Sequence, residues 1–176
     1  MNQYKRLDRK LIKKGSIIDY YNDIIEVNHE KQVIFDYIDH KGAAAMIPIS
    51  SDGKIIMVRQ YRNAINQYSL EIPAGGLNPG EDPMACAIRE CEEETGYQAK
   101  NAHHLIDVFT TVAFSNEKIC IYYTDDLSPS KQNLDEDEFV TVEKYSLEDL
   151  VKMILNGEIQ DAKTIAGILA YKNKIS

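Results

Sequence analysis

The feature that most constrains this chain is the stretch GGLNPGEDPMACAIRECEEETGY at residues 75–97, where a loop-like composition gives way to a helical one. Glycine and proline interrupt its first part and predict an irregular loop, at Gly75, Gly76, Pro79 and Gly80. The run Glu81-Asp82-Pro83 then supplies a capping carboxylate, followed by a proline suited to the first helical turn. We therefore expect a helix over residues 83–95, which Gly96 ends in the left-handed conformation.

Helical spacing divides the predicted helix into two faces. Residues that recur every three or four positions are expected to face the core, namely Met84, Ile88, Cys91 and Thr95. The acidic side chains Glu90, Glu93 and Glu94 are expected to point elsewhere, and Glu90 and Glu94 lie one turn apart on one face. Like charges at this spacing destabilise a helix by about 0.2–0.5 kcal/mol unless a cation binds them.

Two carboxylates on one helical face, beside a loop that offers a backbone carbonyl, suit Mg²⁺. This ion prefers oxygen ligands, keeps several waters, and is held by one or two carboxylates together with substrate phosphates. Arg89 can hydrogen-bond a neighbouring carboxylate through two nitrogens and fix its orientation. The alternative is a solvated acidic face, as in most isolated glutamate runs. The spacing favours the metal site.

Outside this stretch, hydrophobic runs and turn signals predict an order of elements typical of an α+β protein or an α/β/α sandwich. Strands are predicted at 16–27, 33–39, 43–49, 55–61, 105–112, 119–124 and 139–145, and helices at 147–156 and 162–171. The strands at 43–49 and 55–61 are expected to form a hairpin around the turn Ser51-Asp52-Gly53. We expect residues 1–41 to form a small antiparallel β-sheet region and residues 42–176 to form the main domain.

The charge of the chain limits its partners. A net charge of −8 disfavours a long nucleic acid, which binds mainly to basic surfaces. Small phosphorylated ligands remain possible, because metal ions and a few arginines can meet their charge locally. No apolar run is long enough to span a membrane and the N-terminus lacks a signal-peptide core, so we expect a cytoplasmic protein. The three cysteines are expected to be small buried hydrophobes, at Cys86, Cys91 and Cys120.

The fixed residues of 75–97 resemble the signature of the Nudix hydrolases, which cleave nucleoside diphosphates linked to another moiety. The matching charged and glycine positions are Gly75, Glu81, Arg89, Glu90, Glu93, Glu94 and Gly96. Cys91 and Tyr97 occupy hydrophobic positions of the signature where other side chains are commoner. The resemblance implies the Nudix fold, a mixed sheet between helices with the motif as a loop-helix-loop.

Further segments are similar to the ADP-ribose pyrophosphatase branch of that family. These are the V-x-Q-Y-R pattern at 58–62, L-E-I-P-A-G at 70–75, D-E-x-E-F-V at 135–140 and D-A-K-T at 161–164. The resemblance implies Mg²⁺-dependent cleavage of ADP-ribose to AMP and ribose 5-phosphate, with Mn²⁺ as a possible substitute. It also implies a homodimer that exchanges its N-terminal sheets between subunits.

The resemblance assigns metal-binding roles residue by residue. Glu90 and Glu94 become the principal metal ligands, Glu93 shares or supports a second metal, and the carbonyl of Ala74 contributes. Arg89 orients these carboxylates. The metal site is therefore expected to combine one helical face with the end of the preceding loop.

The resemblance also indicates groups for the substrate and for the attacking water. Arg62, and after it Arg59, falls where the branch has arginines that bind the diphosphate or the terminal ribose. The general base is expected from the acidic loop, with Glu138 first and Glu136 second, and a solvated loop is the alternative. Aromatic side chains of the N-terminal sheet could stack on a base, although ordinary sheet packing is the alternative for each; they include Tyr20 and Phe35.

One departure from the branch concerns the leaving group. ADP-ribose hydrolases of this branch usually carry a proline where this chain has Val112. Another ADP-sugar or a compound such as GDP-mannose is therefore the alternative substrate. A non-catalytic module that senses ADP-ribose is the alternative of another class, but such modules usually carry a degraded motif.

Overall fold

The computed structural model describes residues 3–134, 136 and 138–175, and its elements follow the chain in this order. The strands are β1 (Tyr4–Lys14), β2 (Asp19–Val27), β3 (Lys31–Asp39), β4 (Ala43–Pro48), β5 (Ile55–Arg62), β6 (Gln67–Glu71), β7 (Ala74–Gly76), β8 (Tyr97–Ala99), β9 (His103–Phe109), β10 (Lys118–Thr124), β11 (Leu127–Pro129) and β12 (Val140–Tyr145). The helices are α1 (Pro83–Thr95), α2 (Leu147–Leu155) and α3 (Ala162–Ile175). No helix within the described ranges is long and apolar enough to cross a bilayer.

The chain divides into two compact units. The first comprises the chain up to Gly42 together with Phe109–Lys118, and the second comprises Ala43–Val108 with the chain from Ile119 onward. The sequence predicts a boundary near residue 41, and it does not predict that the segment Phe109–Lys118 belongs to the first unit. The strand predicted at 105–112 accordingly ends at Phe109.

The first unit contains the expected antiparallel sheet, in the order β1-β2-β3. Sequence patterns missed β1, because its many basic side chains hide the strand periodicity. Strand β1 pairs with β2 along most of its length, which stabilises it. The pairing shifts register between Arg6 and Asp8 and again between Leu11 and Lys13. The Arg9 guanidinium reaches across this pair and donates to both carboxylate oxygens of Asp23, at 2.6 and 2.7 Å.

The second unit contains a mixed sheet with helices packed on its faces, which confirms the predicted fold class. One sheet has the order β7-β4-β10-β9, another β12-β5-β6, and a short one pairs β11 with β8. Strands β4 and β10 run parallel, whereas β4 pairs antiparallel with β7. This pairing places the loop before α1 directly beside the central strand.

The predicted hairpin between residues 43–49 and 55–61 is wrong. Strands β4 and β5 belong to different sheets, and only an isolated bridge joins Ile49 to Ile55. The physical reason is burial, since every residue of β4 is buried and needs neighbours on both faces. Strand β4 instead obtains its hydrogen bonds from β10 and β7.

Alternate residues of β4 supply two hydrophobic clusters. Ala45 and Ile47 belong to the cluster that includes Leu150 of α2 and Ile168 of α3. Ala44 and Met46 belong to the cluster formed with α1 and β10. The three cysteines are buried, as predicted, and two of them pack in the second cluster from α1: Cys86 and Cys91. The central strand therefore sets the position of α1 in the core.

Candidate active site

Local capping signals define α1. Its N-cap Asp82 accepts hydrogen bonds from the backbone N–H groups of Met84 and Ala85, at 2.9 and 3.2 Å. Gly96 lies in the left-handed region with φ 71° and donates to Glu92 O at 2.9 Å. These contacts confirm the predicted bounds of the helix.

The predictions for Met84 and for the two adjacent glycines of this segment are wrong. Met84 was expected in the core but is 40% exposed, because α1 buries Cys86 and Ala87 against β4 instead. Gly75 and Gly76 were expected in an irregular loop but end strand β7, where they pair with β4. The loop proper therefore begins after Gly76.

The absence of a side chain on Gly75 makes room for the carboxylate of Glu90, a candidate metal ligand. A Cβ atom built on Gly75 would overlap the carboxylate of Glu90, whereas one on Gly76 would meet open space. Strand β7 thus approaches α1 closely enough that the Glu90 carboxylate occupies the position a side chain would take. The glycine required by the motif has a steric explanation here.

Arg89 links the carboxylates of the motif. Its Nε and Nη2 donate to the two carboxylate oxygens of Glu81 at 2.9 and 3.0 Å. Its Nη1 donates to Glu90 at 2.6 Å and to Glu93 at 2.9 Å. The Arg89 guanidinium holds the pKa of Glu81 well below its usual value, at about 2. Arg89 therefore contacts three glutamates of the motif, and its role in orienting metal-binding carboxylates stays a prediction.

Glu94 was expected to point away from the core, yet its side chain is only 4% exposed. One of its oxygens accepts a 3.0 Å hydrogen bond from the backbone N–H of Ala74. Burial raises the pKa of Glu94 to about 8; the charges of Glu90 and Glu138 add to this rise, and the Ala74 hydrogen bond opposes it. Burial also raises the pKa of Glu90, against the opposing effect of Arg89. The nearby charge of Lys163 lowers the pKa of Glu94 by less than burial raises it.

A divalent cation fits this donor set. Glu94 forms no ion pair in the described part of the chain, so a cation would supply the positive charge that its burial demands. Within the described residues, no group of three or more His, Cys, Asp or Glu side chains is arranged to hold a metal ion.

The two predicted substrate arginines are held by carboxylates. Arg62 donates to Glu71 through Nε at 2.8 Å and through Nη2 at 2.6 Å. Arg59 donates in the same two-point manner to Glu143, at 2.5 and 3.2 Å. Sequence patterns missed Glu71 and its second cationic partner, Lys163, although both lie in segments that resemble the pyrophosphatase branch.

Residues 130–133 bind the C-terminal end of α1. Ser130 N donates to Gly96 O at 2.7 Å and Asn133 N donates to Glu93 O at 2.9 Å. The side chain of Gln132 donates to Glu94 O at 2.6 Å. These bonds satisfy carbonyls that a helix end leaves unpaired, and they hold the segment just before the acidic loop against α1. No sequence signal identified this contact.

The acidic loop supplies a charge that acts on the metal-binding candidates. Glu138 contributes to the raised pKa of both Glu90 and Glu94. Glu136 is exposed, and Asp135 and Asp137 lie outside the described residues. The role of Glu138 as the base, with Glu136 second, stays a prediction.

The aromatic candidates lie in the first unit. The Tyr20 hydroxyl donates to Asp36 at 2.6 Å, and Phe35 is 46% exposed. Phe35 lines a cavity of about 330 Å³ that Val112, 79% exposed, also borders. Their role in binding a base stays a prediction.

Comparisons with known proteins agree on one family. A match to the NUDIX domain covers residues 39–168. The chain belongs to the Nudix family. The motif at 75–97, which we now call the Nudix box, is thus the signature of the family and not a chance glutamate run.

Relatives and a solved structure extend this similarity over nearly the whole chain. An ADP-ribose pyrophosphatase of Bacillus subtilis (strain 168) is 39% identical over 171 residues, 93% of this chain and 92% of that protein. A methanol dehydrogenase activator of Bacillus methanolicus is 36% identical over 167 residues, 93% of this chain and 90% of that protein. The solved structure of an ADP compounds hydrolase matches with a TM-score of 0.86 at 18% identity, over 98% of this chain and 94% of the other. This structural match shows that the chain has the Nudix fold.

Proposed function

We propose that this Nudix protein hydrolyses the diphosphate bond of ADP-ribose to AMP and ribose 5-phosphate. The observation that carries the proposal is the buried Glu94 carboxylate, which shares a face of α1 with Glu90 and forms no ion pair in the described part of the chain. The choice of substrate rests on the similarity to the Bacillus subtilis ADP-ribose pyrophosphatase.

The Nudix box and the first residue of β7 would hold a divalent cation, Mg²⁺ first and Mn²⁺ as the alternative. Glu90 and Glu94 would be its main ligands, with Glu93 and the carbonyl of Ala74 in support. When bound, the cation neutralises charge on the diphosphate and favours deprotonation of the attacking water. Arg89 keeps the glutamates in place through its hydrogen bonds to Glu90 and Glu93.

The remaining steps fall to side chains of the protein. Glu138, or Glu136 in its place, accepts the proton of the water as the water oxygen bonds to phosphorus. The bond between that phosphorus and the bridging oxygen breaks, and the bridging oxygen leaves with the other phosphate. Arg62 and Arg59 donate to oxygens of the diphosphate, where negative charge grows during this displacement.

Hydrolysis of a substrate panel tests this proposal. The panel contains ADP-ribose, GDP-mannose, NADH, diadenosine polyphosphates and 8-oxo-dGTP, each with Mg²⁺, and compares wild type with Glu94→Gln. We expect AMP and ribose 5-phosphate from ADP-ribose with the wild type and loss of this product with the variant. Preferred cleavage of another compound would overturn the choice of substrate.

The panel also separates the alternatives. Val112, in place of the proline common in the branch, favours testing other leaving groups. Preferred turnover of GDP-mannose, or of a second ADP-sugar added to the panel, would assign the enzyme to that substrate. A wild-type protein that binds ADP-ribose and cleaves no member of the panel would be a sensing module. The intact Nudix box argues for catalysis, because a sensing module has no need of a metal site.

We also propose a cytoplasmic homodimer in which residues 1–41 exchange between subunits and residues 42–176 form the catalytic domain. The support is the exposed apolar surface of the N-terminal sheet, since a sheet of three strands needs a packed hydrophobic face to be stable. Its exposed large apolar side chains include Leu7, Leu11, Ile12 and Ile34. Light scattering after gel filtration tests this part, and a monomer at micromolar concentration would contradict it.

A further inference from the structure

A buried circuit of hydrogen bonds joins the end of β6 to the first turn of α3. Lys163 Nζ donates to Glu71 Oε2 at 2.5 Å and to Asp161 Oδ2 at 3.0 Å. Thr164 Oγ1 donates to the same Asp161 oxygen at 2.6 Å and accepts from Ile72 N at 3.0 Å. Because Ile72 follows Glu71 in the chain, the circuit closes on itself and fixes the Glu71 carboxylate.

The fixed carboxylate in turn holds Arg62. The Glu71 side chain is 2% exposed, whereas that of Arg62 is 41% exposed, so the pair extends from the interior to the surface. Nε and Nη2 of the guanidinium face Glu71, and no described residue accepts a hydrogen bond from Nη1. Two-point pairing fixes the plane and direction of a guanidinium, which a single contact would leave free to rotate.

The charges of the circuit indicate an orienting role. The negative charge of Asp161 compensates the positive charge of Lys163, so the charge of Glu71 is available to compensate that of Arg62. Burial alone would raise the pKa of Glu71, but Arg62 and Lys163 outweigh it and lower that pKa to about 2. Glu71 is therefore ionised at every pH at which the protein would work.

We propose that Glu71 is a positioning residue which, locked by Lys163, holds Arg62 with its outer edge toward the diphosphate of the substrate. The inference rests on the proposed function for the identity of the ligand. Arg62 makes the contact with the substrate, and Glu71 and Lys163 act through Arg62. The Arg62 side chain then loses its conformational entropy when the protein folds and not when the substrate binds.

Binding measurements on Glu71→Gln test this inference. Isothermal titration without metal would use ADP-ribose, and also inorganic pyrophosphate as a probe that does not depend on the substrate assignment. Freeing one arginine side chain should raise the Kd of either ligand by about three- to tenfold. Steady-state kinetics with Mg²⁺ should show the same rise in KM with a smaller change in kcat, and the Mg²⁺ dependence should stay as in wild type.

A double-mutant cycle distinguishes positioning from a general structural role. If Glu71 acts through Arg62, adding Glu71→Gln to Arg62→Ala should cause no further loss of affinity. Asp149→Asn, a carboxylate-to-amide change in the first turn of α2, serves as the control and should leave both ligands bound as in wild type. Should Glu71→Gln fail to fold, Lys163→Gln takes its place, with a smaller rise in Kd that also vanishes in the Arg62→Ala background.

Two results would overturn the inference. One is a folded Glu71→Gln protein that binds pyrophosphate and ADP-ribose as tightly as wild type. The other is a double variant whose loss equals the product of the two single losses. Failure of the wild type to bind or cleave ADP-ribose would instead count against the proposed substrate, while the pyrophosphate titration would still decide the role of Glu71.

Discussion

The Glu94 carboxylate accepts a 3.0 Å hydrogen bond from the backbone N–H of Ala74, 20 positions earlier in the chain. This contact connects the first residue of the short strand β7, just before the Nudix box, to the last turn of α1. One part offers a backbone carbonyl and the other offers carboxylates, so the contact sets their spacing. A metal held between them would depend on this spacing.

Replacement of Glu94 by glutamine should separate folding from catalysis. Glutamine keeps an oxygen that can accept from Ala74, and it removes a buried charge, so Glu94→Gln should fold. The loss of a metal-binding carboxylate should raise the activation free energy by several kcal/mol and so lower kcat/KM, on the order of 10³-fold. Thermal unfolding with and without Mg²⁺ provides a second check. The ion should raise the Tm of wild type and leave that of the variant unchanged, and an active, Mg²⁺-stabilised variant would contradict the assignment.

Two neighbouring glycines offer a matched pair of substitutions. Gly75→Ala would place a Cβ on the Glu90 carboxylate, whereas Gly76→Ala would meet nothing within 4 Å. Because Glu90 can swing away from the new methyl group, Gly75→Ala should retain most of its stability and lose its affinity for Mg²⁺. Metal titrations followed by activity measure the effect. Equal Mg²⁺ dependence in the two variants would show that the close approach of Gly75 to Glu90 has no role.

The choice of base is decided by two loop variants. Glu138→Gln should reduce kcat by about 10²–10⁴-fold, the usual contribution of a general base. Glu136→Gln should stay close to wild type, because Glu138 is the loop glutamate whose charge raises the pKa of Glu90 and Glu94. The reverse pattern would assign the base to Glu136.

Acid unfolding should report the ion pairs of Glu71. Its pKa in the folded protein is about 2, below the ordinary value of 4.5, so folding favours the ionised form. The contribution of the Glu71 ion pairs to the free energy of unfolding is fully present above pH 4.5 and is lost as the pH falls toward 2. Urea unfolding of wild type and Glu71→Gln should therefore differ most above pH 4.5 and converge toward pH 2. If the difference in the free energy of unfolding does not depend on pH, Glu71 stabilises the fold by packing and not by its charge.

The local parts of the site could be predicted from the sequence. Helix α1 begins and ends where the capping run and Gly96 indicate, because these signals act within one turn of the chain. The spacing of Glu90, Glu93 and Glu94 depends only on helical geometry, and Arg89 reaches two of them from the same turns. The family followed from the same short stretch.

Contacts between distant segments were decided by the tertiary structure. Lys163 reaches Glu71 across 92 positions of sequence, and Gln132 reaches Glu94 O across 38. Burial of Glu94 and exposure of Met84 depend on how α1 packs against β4, which the periodicity of α1 alone does not specify. The sequence by itself determined the helix, its caps and the chemical groups of the Nudix box. Only the packing of β4, β7 and α1 decided which of those groups are buried and paired, because burial depends on neighbours that are remote in the chain.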